Sequence, residues 1–315
     1  MTRGLFLHLV CLAVAGAGLT GAQQAQGPDA TRIHVEPVQR NIYLLAVPGG
    51  NAGNITVQVG NEGVLIVDTG LAPSAPAVMA EVRRLSRGRV RYIVNTHMHP
   101  DHVGANAALA MLAGDDPAQP LKIIAHENVL NRLTARVPGQ PRFPEEGLPL
   151  DEYGTATKRL HFNGEAVIVY HEPNAHTDGD SVVLFRGSDV ISAGDIFTPG
   201  GYPFIDLERG GSVQGEITAL NHILQLAVPA KTQEGGTYVI PGHGRLCDQA
   251  DVVEYRDMVV IVRDRIRDMV AKGMTLEQTK AAKPTRDYDT EYVSPASFVT
   301  ADGFVEAVYK SLSRK

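Results

Sequence analysis

The chain has little cysteine and no concentrated positive charge. It contains 2 cysteines in 315 residues. Cys11 lies in an apolar segment at the N-terminus, and if that segment is removed only Cys247 remains, which excludes an intramolecular disulfide. The formal net charge is −6, and no run of Lys or Arg provides the basic patch typical of nucleic-acid binding. We expect a chain stabilised by a buried core, with a small-molecule substrate and no nucleic-acid partner.

The first 22 residues differ from all that follow. Arg3 supplies a positive charge, residues 5–19 form an apolar stretch too short to span a membrane, and Thr20-Gly21-Ala22 provides small residues suited to signal-peptidase cleavage. A buried N-terminal helix is the alternative. Cys11 lacks the preceding small residue that lipid attachment requires. The pattern predicts a signal peptide over residues 1–22 and a periplasmic or secreted mature protein with no stable membrane anchor.

Strand and helix patterns alternate along the rest of the chain. β-branched runs punctuated by Gly and Asn predict strands at residues 42–47, 55–59, 64–68 and 92–95, then at 121–125, 158–162, 166–171, 181–185, 190–192 and 238–240. Helices are predicted at 76–87, 102–112, 127–135 and 213–227. Two βαβ-like halves indicate two sheets between helices. We expect a catalytic domain over 23–250 and a helical C-terminal extension over 251–315, which could cap the site, mediate dimerisation or cover a sheet face.

The segment His97-Met98-His99-Pro100-Asp101-His102 concentrates metal-binding side chains directly after a predicted buried strand. A strand end is a rigid place from which to direct imidazoles at an ion. Three further candidates also follow predicted strands, and loops at strand ends gather around a site. These candidates are His176, Asp195 and His243. The sequence therefore predicts a metal site.

This set of residues resembles the metallo-β-lactamase superfamily of hydrolases over roughly residues 42–244. The stretch Leu65-Ile66-Val67-Asp68-Thr69-Gly70 also resembles an early strand-and-turn motif of that superfamily. The resemblance implies a four-layer αββα sandwich with two metals at one edge of the sheets. It implies one metal held by His97, His99 and His176, a second held by Asp101, His102 and His243, and Asp195 bridging both.

Imidazole and carboxylate ligands without thiolate favour Zn²⁺, with iron or manganese as alternatives, and the resemblance implies two ions per chain. Asp68 is expected to orient a ligand imidazole from outside the ligand set, or else to cap a turn. Asp101 is expected to be a ligand that also handles a proton. Tyr202 and Phe204 are expected either to wall the substrate site, with Tyr202 hydrogen-bonding a substrate carbonyl, or simply to pack within a Gly-kinked loop. Packing or capping roles are expected for His126, His171, His222 and Cys247.

The predicted function is an exported binuclear zinc hydrolase in which a metal-bridging hydroxide cleaves a small acyl substrate: an ester, lactone, thioester or lactam. Asp195 in its Gly-Asp-x-Phe setting resembles the thioesterase and lactonase branches of the superfamily. The cysteine-bridged β-lactamases instead carry Cys at this position. The alternatives are a true β-lactamase, a mononuclear iron enzyme resembling persulfide dioxygenases, and a non-catalytic zinc-binding protein. Oligomeric state is left open.

Overall fold

The computed structural model describes residues 33–47, 51–114, 116–232, 235–294 and 297–313. The predicted signal peptide, residues 1–22, lies outside the described residues. So do residues 48–50 of the Gly-rich segment 48–54, for which the sequence predicts either a mobile flap or a hairpin turn.

The first sheet has six strands in chain order. They are β1 (His34–Gln39), β2 (Ile42–Ala46), β3 (Ile55–Gly60), β4 (Gly63–Val67), β5 (Val90–Val94) and β6 (Lys122–Ile124). The strands β1 to β4 are antiparallel, whereas β4, β5 and β6 are parallel. Parallel neighbours need a crossover connection, and helix α1 (Ala75–Leu85) provides the one between β4 and β5.

The second sheet also has six strands, in the order β12-β11-β10-β9-β8-β7. They are β7 (Thr157–Phe162), β8 (Glu165–His171), β9 (Ser181–Phe185), β10 (Val190–Ser192), β11 (Tyr238–Ile240) and β12 (Cys247–Asp248). Only β10 and β11 pair in parallel, and helix α5 (Val213–Leu226) connects them. Because β8, β10 and β11 run in the same direction, their carboxyl ends meet at one edge.

Alternation along the strands produces the layers. In β4, Leu65 and Val67 lie in the core between the sheets, while Val64 and Ile66 pack with α1 and with helix α3 (Asn106–Ala113). The same alternation in β9 turns every second side chain toward α5 on the far side. The four-layer αββα sandwich expected from the sequence is therefore confirmed.

The C-terminal region is helical, as predicted, and covers the outer face of the second sheet. It contains α6 (Gln249–Ala271), α7 (Leu276–Ala281), α8 (Asp289–Tyr292) and α9 (Ala301–Ser313). Helix α6 starts at a capping box on Asp248 and buries Tyr255, while α9 buries Phe304 in the same core as α5. Among the described helices, none combines the length and apolar character needed to cross a membrane.

The single helix predicted over residues 102–112 is instead two helices, α2 (Pro100–Val103) and α3. The break has a hydrogen-bonding cause. Ala105 N donates to Gly70 O (3.0 Å), and Thr69 N donates to His102 O (2.7 Å). These bonds join the histidine-rich segment to the turn after β4. They interrupt the helix and fix the position of the metal-binding motif.

Candidate metal centre

Loops after five strands meet at one edge of the two sheets. The histidine-rich segment follows β5, and the turn carrying Asp68 follows the parallel neighbour β4. His176, Asp195 and His243 follow β8, β10 and β11 in the second sheet. The seven side chains proposed as ligands fall into two groups of four that share one carboxylate. The two groups are His97, His99, His176 and Asp195, and Asp101, His102, His243 and Asp195.

The first group is formed by three crowded imidazoles. His99 Nδ1 lies 2.9 Å from His176 Nε2. Oδ2 of Asp195 lies 3.9 Å from His97 Nε2 and 3.8 Å from His176 Nε2. The possible ligand atoms of the group all lie within 4.8 Å of one another, which is close enough for one ion to contact each of them.

The second group uses the other oxygen of the shared carboxylate. Oδ1 of Asp195 lies 3.1 Å from His102 Nε2 and 3.5 Å from His243 Nε2. Oδ2 of Asp101 lies 3.1 Å from His243 Nε2 and 3.5 Å from His102 Nε2. Asp195 therefore presents one oxygen to each group, which is the geometry of a bridging ligand.

Several buried ligand atoms have no hydrogen-bond partner among the described residues. They are His97 Nε2, His102 Nε2 and Asp195 Oδ1. A buried polar atom without a partner costs free energy, and metal ions held by the two groups would relieve that cost. Five imidazoles and two carboxylates form a donor set that zinc accepts. The residues present therefore fit a metal.

Electrostatics set the protonation of the first group. Burial, and then the neighbouring imidazoles, lower the pKa of His97 well below its ordinary value. Burial lowers the pKa of His176 to about 4, although Asp195 opposes the shift. Both imidazoles are consequently neutral at physiological pH, which is the form that binds metal.

The second group is shifted in the opposite direction. Burial alone would lower the pKa of His102, but the carboxylates of Asp195 and Asp68 outweigh it and hold that pKa well above the ordinary value. For His243 burial again opposes the shift, yet the hydrogen bond to Asp101 and the charge of Asp195 raise the pKa. In Asp195 itself burial favours the neutral acid, but the charge of His102 and the other imidazoles lower its pKa.

Residues outside the ligand set hold the imidazoles in place. His102 Nδ1 donates to Asp68 Oδ2 (2.8 Å), and the same carboxylate accepts from Thr96 N (2.8 Å) and Thr96 Oγ1 (2.7 Å). Asp68 has a left-handed φ of +59°, which is uncommon outside glycine. The structure places Asp68 where the sequence argument expected it, on the ring nitrogen that does not face the metal site.

The sequence argument missed two such supports. His99 Nε2 lies 3.0 Å from Asp206 Oδ2, which Arg209 Nη1 also contacts at 2.9 Å. The backbone carbonyl of Phe204 accepts from His176 Nδ1. Asp206 also accepts from Arg209 N as the cap of a short 3₁₀ turn. The local pattern around Asp206 is that of an ordinary cap, so no sequence signal distinguishes its second role.

Two glycines permit the close packing of these loops. A Cβ on Gly53 would lie 2.4 Å from the ring of His102, and a Cβ on Gly242 would lie 2.0 Å from Asp195 Oδ1. Gly53 N donates to Asp101 O (3.1 Å), and Asn54 N donates to Gly242 O (2.7 Å). The described part of segment 48–54 is thus bonded to loops of both sheets.

Tyr202 requires a correction. It is 2% exposed, and its hydroxyl donates to Asp289 Oδ1 (2.8 Å) and Thr285 O (3.2 Å). Its ring stacks on Tyr292 and Phe304. The hydroxyl is already used in anchoring the C-terminal region, so the expected hydrogen bond to a substrate carbonyl is wrong.

Of the remaining candidates, Phe204 lies at the site, whereas His126 and His222 have structural roles. Phe204, expected as a wall of the site, does lie beside the rings of His99 and His176. His126 caps helix α4 (Glu127–Thr134) by accepting from Asn128 N, as the sequence suggested. His222 pairs with Glu172 at 2.5 Å.

The metallo-beta-lactamase superfamily model matches residues 48–243, and the chain belongs to this superfamily. It has the hydrolase fold of that superfamily together with a His/Asp cluster able to bind metal. A comparison with curated proteins finds no match.

Solved structures of similar fold include a sulfatase and two lactamases. The stereoselective inverting sec-alkylsulfatase Pisa1 from Pseudomonas sp. is 14% identical with a TM-score of 0.63, over 88% of this chain and 50% of that chain. A metallo-beta-lactamase from Pontibacter korlensis is 14% identical (TM-score 0.56; 73% of this chain, 99% of that chain). The DIM-1 metallo-beta-lactamase is 17% identical (TM-score 0.54; 72% and 97%). This chain spans about half the length of the sulfatase, and at such identities the likeness concerns the fold alone.

Proposed function

We propose that the protein is a binuclear zinc-dependent hydrolase of small acyl substrates. The observation that carries the proposal is the position of Asp195, which directs Oδ2 toward one ligand group and Oδ1 toward the other. A single structural zinc site would be closed by four ligands of its own, whereas each group here has three private ligands and one shared carboxylate. Sharing favours catalysis over a purely structural role.

Zinc ions, when bound, supply Lewis acidity that polarises a carbonyl and makes water a nucleophile near neutral pH. The protein's own contribution is positioning. Asp68, Asp206 and the Phe204 carbonyl fix the orientation of His102, His99 and His176. Asp101, whose side chain is 27% exposed, is the ligand carboxylate most open to solvent and to an entering substrate.

The substrate class is an ester, lactone, thioester or lactam. A carboxylate in the bridging position supports the thioester and lactone candidates, while similarity of fold to two lactamases keeps lactams among the candidates. A sulfate ester is the second candidate. The overlap with the alkylsulfatase covers 88% of this chain, so it must extend into the helical region beyond residue 250.

The first test is hydrolysis by protein comprising residues 23–315, loaded with zinc and assayed beside a chelator-treated sample. The panel is p-nitrophenyl butyrate, γ-butyrolactone, a butyryl thioester, nitrocefin and a secondary alkyl sulfate. We expect chelator-sensitive kcat/KM on the order of 10⁴ M⁻¹s⁻¹ for at least one acyl compound. Turnover of the sulfate alone would select the second candidate.

The other interpretations predict different results, with metal content measured on protein purified without added metal or chelator. One iron per chain and oxygen consumption with a persulfide would replace the hydrolase by a dioxygenase. Two bound zinc ions without turnover of any panel member would leave a zinc-binding protein and refute the proposal.

Export is a second part of the proposal and rests on the charge, length and cleavage pattern of residues 1–22. Intact mass measurement of protein from a periplasmic extract is expected to place the N-terminus at Gln23. A full-length chain found only in the cytosol would contradict it.

A further inference from the structure

Two phenyl rings stand partly in solvent beside the metal centre. Phe298, in the loop between α8 and α9, is 84% exposed, and Phe204 is 39% exposed. Their ring centroids are 5.3 Å apart with an interplanar angle of 84°. Edge-to-face contact is a favoured arrangement of aromatic rings, yet a ring as exposed as Phe298 contributes little to a core.

The aromatic pair extends from the ligands outward. The ring of Phe204 lies 5.9 Å from that of His99 and 5.7 Å from that of His176. Phe298 follows on the other side of Phe204. The two phenyl rings therefore form a continuous apolar surface that begins at two imidazoles of the first ligand group and ends in solvent.

The C-terminal region holds both rings in place. The segment that leads to Phe204 is anchored by the Tyr202 hydroxyl, which donates to Asp289 Oδ1 just before Phe298's loop. Within that loop Ser294 N donates to Ser297 Oγ (2.8 Å), and Thr300 Oγ1 accepts from Gly303 N (3.0 Å) as α9 begins. The helical extension thus supplies one of the two rings and fixes the position of the other.

We propose that Phe204 and Phe298 form a wall that binds the apolar chain of the substrate, so that the enzyme prefers acyl groups with longer alkyl chains over acetyl. Neither ring offers charge or a hydrogen-bond donor, so this wall recognises hydrocarbon. An apolar surface continuous with the ligand imidazoles places a chain beside the bond to be cleaved. The proposal rests on the hydrolase function proposed above and identifies Phe298 as a specificity-determining residue.

Binding is tested without catalysis. The chain contains no tryptophan, so F298W introduces the sole indole fluorophore at the wall. Zinc-loaded F298W is titrated with acetate, butyrate, hexanoate and octanoate. We expect a blue shift of emission and affinity that rises roughly twofold per methylene, because the wall leaves one side of the chain in water. Equal affinity for acetate and octanoate, or no shift with either, would overturn the proposal.

Specificity is tested with p-nitrophenyl acetate, butyrate and hexanoate. For F298A we expect the hexanoate-to-acetate ratio of kcat/KM to fall about fivefold through a higher KM, since the lost contact is made in ground and transition states alike. The matched control is M111A, which removes a side chain that is 70% exposed on α3 and is expected to leave the ratio unchanged.

The outcomes separate this proposal from the function on which it rests. If the unmodified protein hydrolyses esters with no chain-length preference, the proposed wall is refuted while the proposed hydrolase function stands. If carboxylates bind to F298W with an affinity that depends on chain length, but no ester is hydrolysed, the proposed wall is supported and the proposed hydrolase function is refuted.

Discussion

The two ligand groups share Asp195 but differ in the surroundings of their imidazoles. In the first, the side chains of His97 and His176 are 1% and 0% exposed, and burial lowers their pKa. In the second, carboxylates raise the pKa of His102 and His243 against the effect of burial, and His243 is 28% exposed. The first group thus contains imidazoles whose pKa is lowered by burial, whereas in the second group nearby carboxylates raise the pKa of the buried His102 and of the partly exposed His243.

Because of this difference, the two ligand groups differ in how strongly protons compete with a metal ion for their imidazoles. A ligand imidazole must be neutral, so a proton on it competes with the ion. Protons compete weakly with the ion at His97 and His176, whose pKa is lowered, and more strongly at His102 and His243, whose pKa is raised. We expect tighter binding in the first group and a stronger pH dependence in the second.

The largest effect is expected from removing what the two groups share. In D195N the bridging charge is lost while the shape is retained, and activity is expected to fall on the order of 10³-fold with fewer than two zinc ions per chain. Zinc is measured by plasma mass spectrometry and kcat/KM on the preferred substrate of the panel. D264N, which alters an exposed carboxylate on α6, is the matched control. Full activity in D195N would show that the groups are not coupled through Asp195.

Removing one private ligand from each group tests their inequality directly. H243A is expected to retain one zinc ion per chain, because the first group stays complete. H176A is expected to lose the tighter site and to show weaker overall zinc binding. Calorimetric zinc titration at pH 8 distinguishes the two variants, and the reverse order of affinities would contradict the comparison.

A smaller effect is expected from the supporting carboxylates, again one for each group. D68N removes the partner of His102, and D206N that of His99. Loss of such a partner typically costs 10- to 100-fold in metal affinity. We expect D68N to weaken the second site and D206N the first. Equal weakening of both sites by either variant would indicate general destabilisation instead.

The smallest effect concerns a carboxyl outside both groups. Glu216 on α5 is 0% exposed, and its oxygens have no hydrogen-bond partner among the described residues. Burial, and then the charges of Asp180 and Asp195, hold its pKa well above the ordinary value. Above its unfolded pKa, Glu216 ionises in the unfolded chain but stays protonated in the folded one. The free energy of unfolding therefore falls as pH rises through this range.

E216Q removes that fall in the free energy of unfolding, so its advantage in melting temperature over the unmodified protein should grow by about 2–4 °C from pH 5 to pH 7. The melting scans use metal-free protein, which keeps metal dissociation out of the difference. E277Q alters an exposed glutamate on α7 and is expected to show no such growth. A constant difference across the range would refute the buried-acid interpretation.

Much of the fold follows from local pattern. Nearly continuous apolar runs such as 64–67 and 181–185 are typical of strands buried on both faces, and the two-residue period of a strand turns successive side chains toward the other sheet and toward a helix. The seven proposed ligands were predictable because each lies in a polar segment that follows an apolar strand. His243, for example, stands between two glycines after β11.

Residues that reach the site through tertiary contact were not predictable. Asp206 has the local pattern of a turn cap, and Phe298 lies about 200 residues from the histidine motif in a helical extension. Tyr202 shows the opposite error, a residue predicted to lie at the site that does not. Its Gly-rich loop beside Asp195 indicated a substrate contact, but its ring packs in the core against Phe304. The break between α2 and α3 depends on the carbonyl of Gly70, which no periodicity in residues 100–113 reveals.

The most direct test of the account is the zinc stoichiometry of the metal-free protein, titrated in a calorimeter at pH 8 and again at pH 6. We predict two zinc ions per chain at pH 8, in a tighter and a weaker step. At pH 6 protonation of His102 and His243 should weaken the second step selectively and leave the first in place. A single metal per chain at both pH values, or two steps weakened equally, would contradict a centre divided by Asp195 into two unequal halves.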